Sequence, residues 1–562
     1  MRQGLALRGH RDSGPISFES ECPYVNEGNF RAILKYKAKD LASFKEFLES
    51  KNRYKYTSSN IQNQIISSCG DLILEKIVSE INTSECFSIL ADETTDVSLK
   101  EQLTLCVRFV TGTGKNVYLR EVFLKYIVIH SLTGKDIASS IINGLNSCGI
   151  DCSKMVGQGY DGASNMAGHV KGTQTIVSEN FPKAIYVHCA AHSLNLAVSA
   201  ACDIRSIRNC LGIVEKMYCF FNTPKRQDML LSEIEESDFN PKSKSLKRLC
   251  ATRWVERYSA IHDFVELYSC VVSALDKISE WKDSTATDAN ILSKSMDSDF
   301  FVSLQELFGY GLPICKLLQK VELDLKEAVD LAEVTVTSTQ CLRDNIEQEE
   351  FNKMFREAEK MADVVGASIS IKRQNKINKN RPNLCIDNIT PEKYYRITIA
   401  ISFIDSFIEQ LNERFLKHKN ILKGFGCLFS KPFTEEFDKL VQYYLDTDLQ
   451  IVTAELLLWH TKLERNKEEP KNALEALRLC NNEIFPNIHR LIKILCTIPV
   501  STATPERTFS CLKRLKNYLR STMTETRLNG LTMLAIHGDV PLTAEEVVDD
   551  LAKKPRKLDF IL

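Results

Sequence analysis

Cys86-Phe87-Ser88-Ile89-Leu90-Ala91-Asp92-Glu93-Thr94-Thr95-Asp96 opens with a short apolar run and ends on carboxylates. A run of this length, bounded by polar residues, reads as a buried strand. The next run, Leu103-Thr104-Leu105-Cys106-Val107-Arg108-Phe109-Val110, alternates as a half-buried strand does. Thr111-Gly112-Thr113-Gly114 makes a turn, and Tyr118 to Ile129 reads as a third strand. Further on, the pattern predicts a helix over Ile137–Leu145, a strand over Lys154–Gly159 and a helix over Ser164–Glu179. A short strand, Ala184–Val187, then runs into a helix from about Ala190. Residues 85 to 200 therefore read β-β-β-α-β-α-β-α. That order predicts an α/β sheet with an antiparallel first half and parallel later strands.

Outward from this segment the periodicity becomes helical. Residues 1–35 read as an arm, and 36–84 as a helical lead-in with Ile61, Ile65, Ile66, Leu72, Leu74 and Ile77 on its apolar positions. From 201 to 430 strand signals nearly vanish. Ile397, Ile401, Ile404, Ile408, Leu411 and Phe415 step by three and four, as a helix packed on helices does. The stretch 371–391 carries Lys372, Arg373, Lys376, Lys379 and Arg381, a solvated loop or a contact for nucleic-acid phosphates. Residues 431–545 resume the helical pattern, and 546–562 form a tail.

Composition sets the outer limits. The 562 residues are about four times a ~150-residue domain. Lys+Arg is 72 and Asp+Glu is 73, so a polybasic protein that coats nucleic acid with its whole body is excluded. A local basic groove is not, because a balanced total hides opposed patches. The 19 cysteines are scattered, with no secretory signal before them and no Cys-x2-Cys pair. This predicts reduced thiols in a cytosolic or nuclear protein and no self-contained zinc finger. No stretch of 18 apolar residues predicts a membrane span.

Five motifs carry candidate chemistry. Asp92 stands at the end of an apolar strand, where α/β proteins place sites and where Asp also caps turns; Glu93 and Asp96 compete for its role. Asp161, in Gly159-Tyr160-Asp161-Gly162-Ala163-Ser164-Asn165-Met166, sits between a strand and a helix beside small residues that allow close approach. It too reads equally as a cap. Cys189 and His192, in His188-Cys189-Ala190-Ala191-His192-Ser193-Leu194-Asn195-Leu196, share a face of the predicted helix. Zinc needs two more ligands, so a buried structural pair is the better reading. Thr252-Arg253-Trp254 offers a base-stacking pair or a core anchor. Finally, Ser501-Thr502-Ala503-Thr504-Pro505-Glu506-Arg507-Thr508-Phe509-Ser510 is a helix start. Beyond it, Ser501 to Leu531 holds six basic against two acidic residues, a local +4.

In this order the motifs Asp92-Glu93-Thr94-Thr95-Asp96, Asp161 to Met166, Cys189-x2-His192-x-Leu194-Asn195-Leu196, Thr252-Arg253-Trp254 and Pro505 to Ser510 resemble the hAT-type transposases. The branch they resemble is that of zinc-finger MYM-type protein 1-like sequences, and the resemblance runs over roughly residues 20–545. It implies a ribonuclease H-like core interrupted by a large helical insertion, with a C-terminal helical dimerisation segment. It implies that Asp92, Asp161 and Glu506 are a DDE-type catalytic set holding Mg2+ or Mn2+. Glu506 lies 345 positions beyond Asp161, a gap that the helical insertion over residues 201–430 then supplies. It further implies that Trp254 and Arg253 hold a flipped base and that Arg507, Lys513, Arg514 and Lys516 contact DNA. The implied partners are DNA and a second copy of the chain, in the nucleus and away from membranes. The family's N-terminal zinc finger is not in this sequence. Two functions follow as expectations: a DNA strand-transferring transposase core, or a catalytically inactive, domesticated transposase in chromatin or transcription.

Overall fold

The computed structural model describes residues 2–553, apart from 11, 17, 19–25, 51–54, 238–240, 251–253, 307–319, 322, 347–349, 372–388, 432 and 433. The basic stretch Lys372 to Arg381 and the end of the tail lie outside the described residues. The chain forms two units, one of residues 1–189 with 424–562 and one of 190–423.

The first unit is built on five strands: β1 (Phe87–Thr95), β2 (Glu101–Thr111), β3 (Tyr118–Ile129), β4 (Met155–Tyr160) and β5 (Ile185–His188). Their order across the sheet is β3-β2-β1-β4-β5. β1 pairs antiparallel with β2, and β2 with β3; β1 pairs parallel with β4, and β4 with β5. The sheet thus changes direction across its central strand, as the element order predicts. In chain order the helices that matter are α1 (Ser59–Thr83), α2 (Gly134–Cys148), α3 (Ser164–Ala167) and α4 (Thr173–Asn180). The pattern over 164–179 predicts one helix, and the chain instead turns at Gly168–Gly172. A Cβ on Gly172 would meet the carbonyl of Gly168 at 2.3 Å, so the turn closes only around glycine.

The second unit is helical among its described residues. It includes α5 (Ala190–Ala201) and α6 (Trp254–Glu266). The C-terminal part of the first unit then supplies α7 (Leu449–Asn466), α8 (Pro486–Thr497), α9 (Ala503–Leu515) and α10 (Glu525–Ile536). One apolar core joins residues of α1 and strands β1 to β4 to Phe509, Leu512 and Leu515 of α9 and Leu528 and Leu531 of α10, with Tyr186 of β5 packed against it. No helix among the described residues is long and apolar enough to cross a membrane.

These C-terminal helices explain a correction to β2. Its alternation predicts one wet face, yet every residue from Gln102 to Val110 is buried. The polar positions find protein partners in place of water. Thr104 shares a 3.2 Å hydrogen bond with Thr508 of α9. Arg108 forms a buried 2.7 Å ion pair with Glu121 of β3 and donates to the Cys496 carbonyl at the end of α8. Asn529 of α10 caps β3 by accepting from the Tyr126 N–H at 2.7 Å and donating to its carbonyl at 3.0 Å.

Candidate active site

Asp92 lies near the end of β1, half-buried, and its carboxylate accepts from the Glu93 N–H at 2.9 Å. Asp161 follows β4 directly. Its carboxylate accepts from the Ala163 N–H at 3.1 Å, closing the turn into α3. Parallel pairing of β1 with β4 brings both strand ends to one edge of the sheet. Glu506 stands in the first turn of α9.

Electrostatics ties the three together. Burial pushes the Asp92 carboxyl well above the usual range, and the charges of Glu506 and then Asp161 push it the same way. Like charges this close disfavour joint ionisation, which is the condition a bound cation relieves. Glu93 is a fourth carboxylate here. Burial raises it, its bond from the Asn165 amide at 2.9 Å lowers it, and the charge of Asp161 raises it again. Carboxylate oxygens are the hard donors that suit Mg2+ or Mn2+, but the ligand atoms of Asp92, Asp161 and Glu506 do not all lie within 4.8 Å of one another in this structure.

Local packing delivers Glu506 to this edge. A Cβ on Gly159 would stand 2.8 Å from Pro499, so the segment leading into α9 lies directly on β4. The Cys189 N–H donates to the Tyr160 carbonyl at 3.0 Å, and the Cys189 sulfur accepts the Thr502 N–H at 3.2 Å. Cys189 therefore links the end of β4 to the residue preceding α9. It stands one position before α5 begins, so the predicted sharing of a helix face with His192 is corrected: only His192, half-buried, lies in the helix.

Sequence reasoning passed over two neighbours. The Tyr186 hydroxyl donates to the Asp161 carbonyl at 3.2 Å. The imidazole of His188 lies against Gly162, where a Cβ would come 2.6 Å from Nε2. Alternation along β5 places both on one face, and the glycine after Asp161 is the signal that something packs there.

The nucleic-acid candidates divide. Arg507, Lys513 and Arg514 of α9 are exposed. Lys516 is not, and its expected DNA contact is corrected: it is buried in a 2.5 Å ion pair with Asp96. Burial alone would raise Asp96, but bonds from Lys516, Gln102 and the N–H groups of Ser98 and Lys100 outweigh it and hold the carboxyl below its ordinary range. Asp96 is therefore taken by structure, unlike Asp92. Trp254, at 2% exposed, presents no open ring face for a base; it is a core residue at the start of α6, whose N–H donates to Asn195 of α5. Arg253 lies outside the described residues. In the second unit, His262, Asp263 and Glu266 bring ligand atoms within 4.8 Å of one another, but Asp263 is paired with Lys247 at 2.8 Å and Glu266 accepts from the Lys242 N–H.

The fold is a mixed α/β sheet domain packed with a C-terminal helical region. Residues 1–172 match the family described as the ZMYM1/FAM200 RNase-like domain, and residues 454–540 match the hAT family C-terminal dimerisation region. The chain thus carries an RNase-like match and a hAT-type dimerisation match in one sequence, which is consistent with a hAT-derived protein. It is similar to the human protein named 52 kDa repressor of the inhibitor of the protein kinase, with 27% identity over 593 residues, 98% of this chain and 74% of that protein. The mouse protein of the same name is 27% identical over 594 residues, 98% of this chain and 75% of the relative.

Proposed function

We propose that this chain is a dimerising, DNA-binding protein of the nucleus that retains a metal-dependent site for phosphodiester chemistry. The supporting observation is that the charges of Glu506 and Asp161, from two distant stretches of sequence, both act on the buried Asp92 carboxyl. We read the first unit as a ribonuclease H-like core and residues 190–423 as the helical insertion that separates its two halves. Asp92, Asp161 and Glu506 would hold Mg2+ or Mn2+, which when bound activates a water or 3'-hydroxyl and stabilises the leaving oxygen. The chain's own contribution is placement. The β1 and β4 ends present two carboxylates, α9 brings the third, and the Cys189–Thr502 bond holds α9 in register. Arg507, Lys513 and Arg514 extend from the same helix as Glu506 and suit backbone phosphates.

A second reading is favoured by the relatives, which are named as a repressor. In it the chain is a domesticated transposase that binds DNA or chromatin without cutting it. One assay separates the two. Mn2+- or Mg2+-dependent cleavage of nicked or hairpin DNA, lost in Asp161→Asn, supports the enzyme. DNA binding without cleavage in the unaltered chain supports the second reading.

A further inference from the structure

Away from the carboxylates, the N-terminal arm and the α9–α10 connection line an open cavity of about 790 Å³. Arg8, His10, Arg514, Arg520 and Arg527 line it, with Asn26, Asn63 and Thr524 among its polar groups, and no carboxylate lines it among the described residues. Arg8 pairs with Asp12 at 3.6 Å, and the charge of Asp12 also acts on Arg527. Arg520 donates to the Gly4 carbonyl at 3.3 Å, and Arg527 donates to the Asn63 side chain, so arm, connection and α1 all fasten on these arginines.

The arrangement is electrostatically costly as it stands. Arg527 sits in the first turn of α10, where the helix dipole already disfavours a cation. Burial, then the charges of Arg8 and Arg520, push its guanidinium down to about 10. Burial lowers Arg520 as well. A concave, partly desolvated site with converging guanidinium forks and amide and hydroxyl donors matches phosphate oxygens in charge and geometry.

We propose that this cavity is a phosphate-binding site, taking either a free polyphosphate or consecutive backbone phosphates of DNA. It shares Arg514 with the basic face of α9 but contains none of the carboxylates of the other site, and it does not depend on metal chemistry there. The test titrates the full chain with inorganic tripolyphosphate by calorimetry and with a short duplex DNA by fluorescence anisotropy. Arg520→Gln and Arg527→Gln are compared with Arg520→Lys and with the exposed control Arg465→Gln, and circular dichroism checks each fold.

The Gln variants should lose about tenfold or more in affinity for at least one probe, while Arg520→Lys and Arg465→Gln lose less. Loss for tripolyphosphate alone identifies a free polyphosphate. Loss for DNA, with a salt slope reduced by about one per arginine removed, identifies the backbone. Folded Arg520→Gln and Arg527→Gln proteins that bind both probes as the unaltered chain does, or an unaltered chain that binds neither, overturn the proposal. Asp161→Asn should leave this binding intact, so failure of the carboxylate reading is distinguishable from failure here.

Discussion

The backbone N–H of Thr502 donates to the thiol sulfur of Cys189 at 3.2 Å, joining residues 313 positions apart in the chain. Cys189 in turn donates to the Tyr160 carbonyl beside Asp161. A weak acceptor thus holds the start of the Glu506 helix against the end of the Asp161 strand.

Cys189→Ala should strand the buried Thr502 N–H and destabilise the protein by about 1–3 kcal/mol. Cys189→Ser keeps an acceptor and should cost less. Urea unfolding of the three proteins measures the difference, and equal stability of Ala and Ser variants would remove the bond from the account.

Asp92 is raised by burial and by its acidic neighbours, so its charge opposes folding at neutral pH. Asp92→Asn should therefore raise the melting temperature in metal-free buffer, with the gain fading as pH falls toward the unfolded carboxylate pKa of about 3.9. Mn2+ should stabilise the unaltered chain and leave Asp92→Asn nearly unmoved. A metal response retained in the variant would argue against Asp92 as a ligand.

The Asp96–Lys516 pair runs the opposite way. Its folded carboxyl lies below the ordinary range, so the pair's contribution is present above the unfolded pKa and is lost as pH falls through the lower folded value. Lys516→Met leaves Asp96 charged and buried and should cost about 3 kcal/mol at neutral pH. The penalty should shrink on acidification below pH ~4, read by chemical denaturation across pH.

Ile451 and Leu458 lie seven residues apart on one face of α7 and are 57% and 60% exposed. The matched dimerisation region includes Leu458. If this stripe meets a second copy, the double substitution Ile451→Asp, Leu458→Asp should convert the dimer to monomer without unfolding it. Analytical ultracentrifugation with circular dichroism checks both parts, and a dimer that persists places the interface elsewhere.

Much of the sheet was legible in the residues. The runs at 86–91, 103–110 and 118–129 are local patterns, and each became a strand, the first two with ends shifted by a few positions and the third with the same ends. β2 misled because its polar positions look solvated in sequence. Their partners, Thr508 and Cys496, lie about 400 residues away. Lys516 misled for the same reason, since only packing against the Asp96 turn takes it out of solvent. Alternation, glycine turns and apolar period determined by themselves that the chain makes a mixed sheet followed by helices, because those preferences act between near neighbours. Which carboxylates share an edge, which lysine is spent in a buried pair and which arginines converge on one cavity was decided only by tertiary structure. Charge interacts through space, and in this chain the groups that meet come from opposite ends of the sequence.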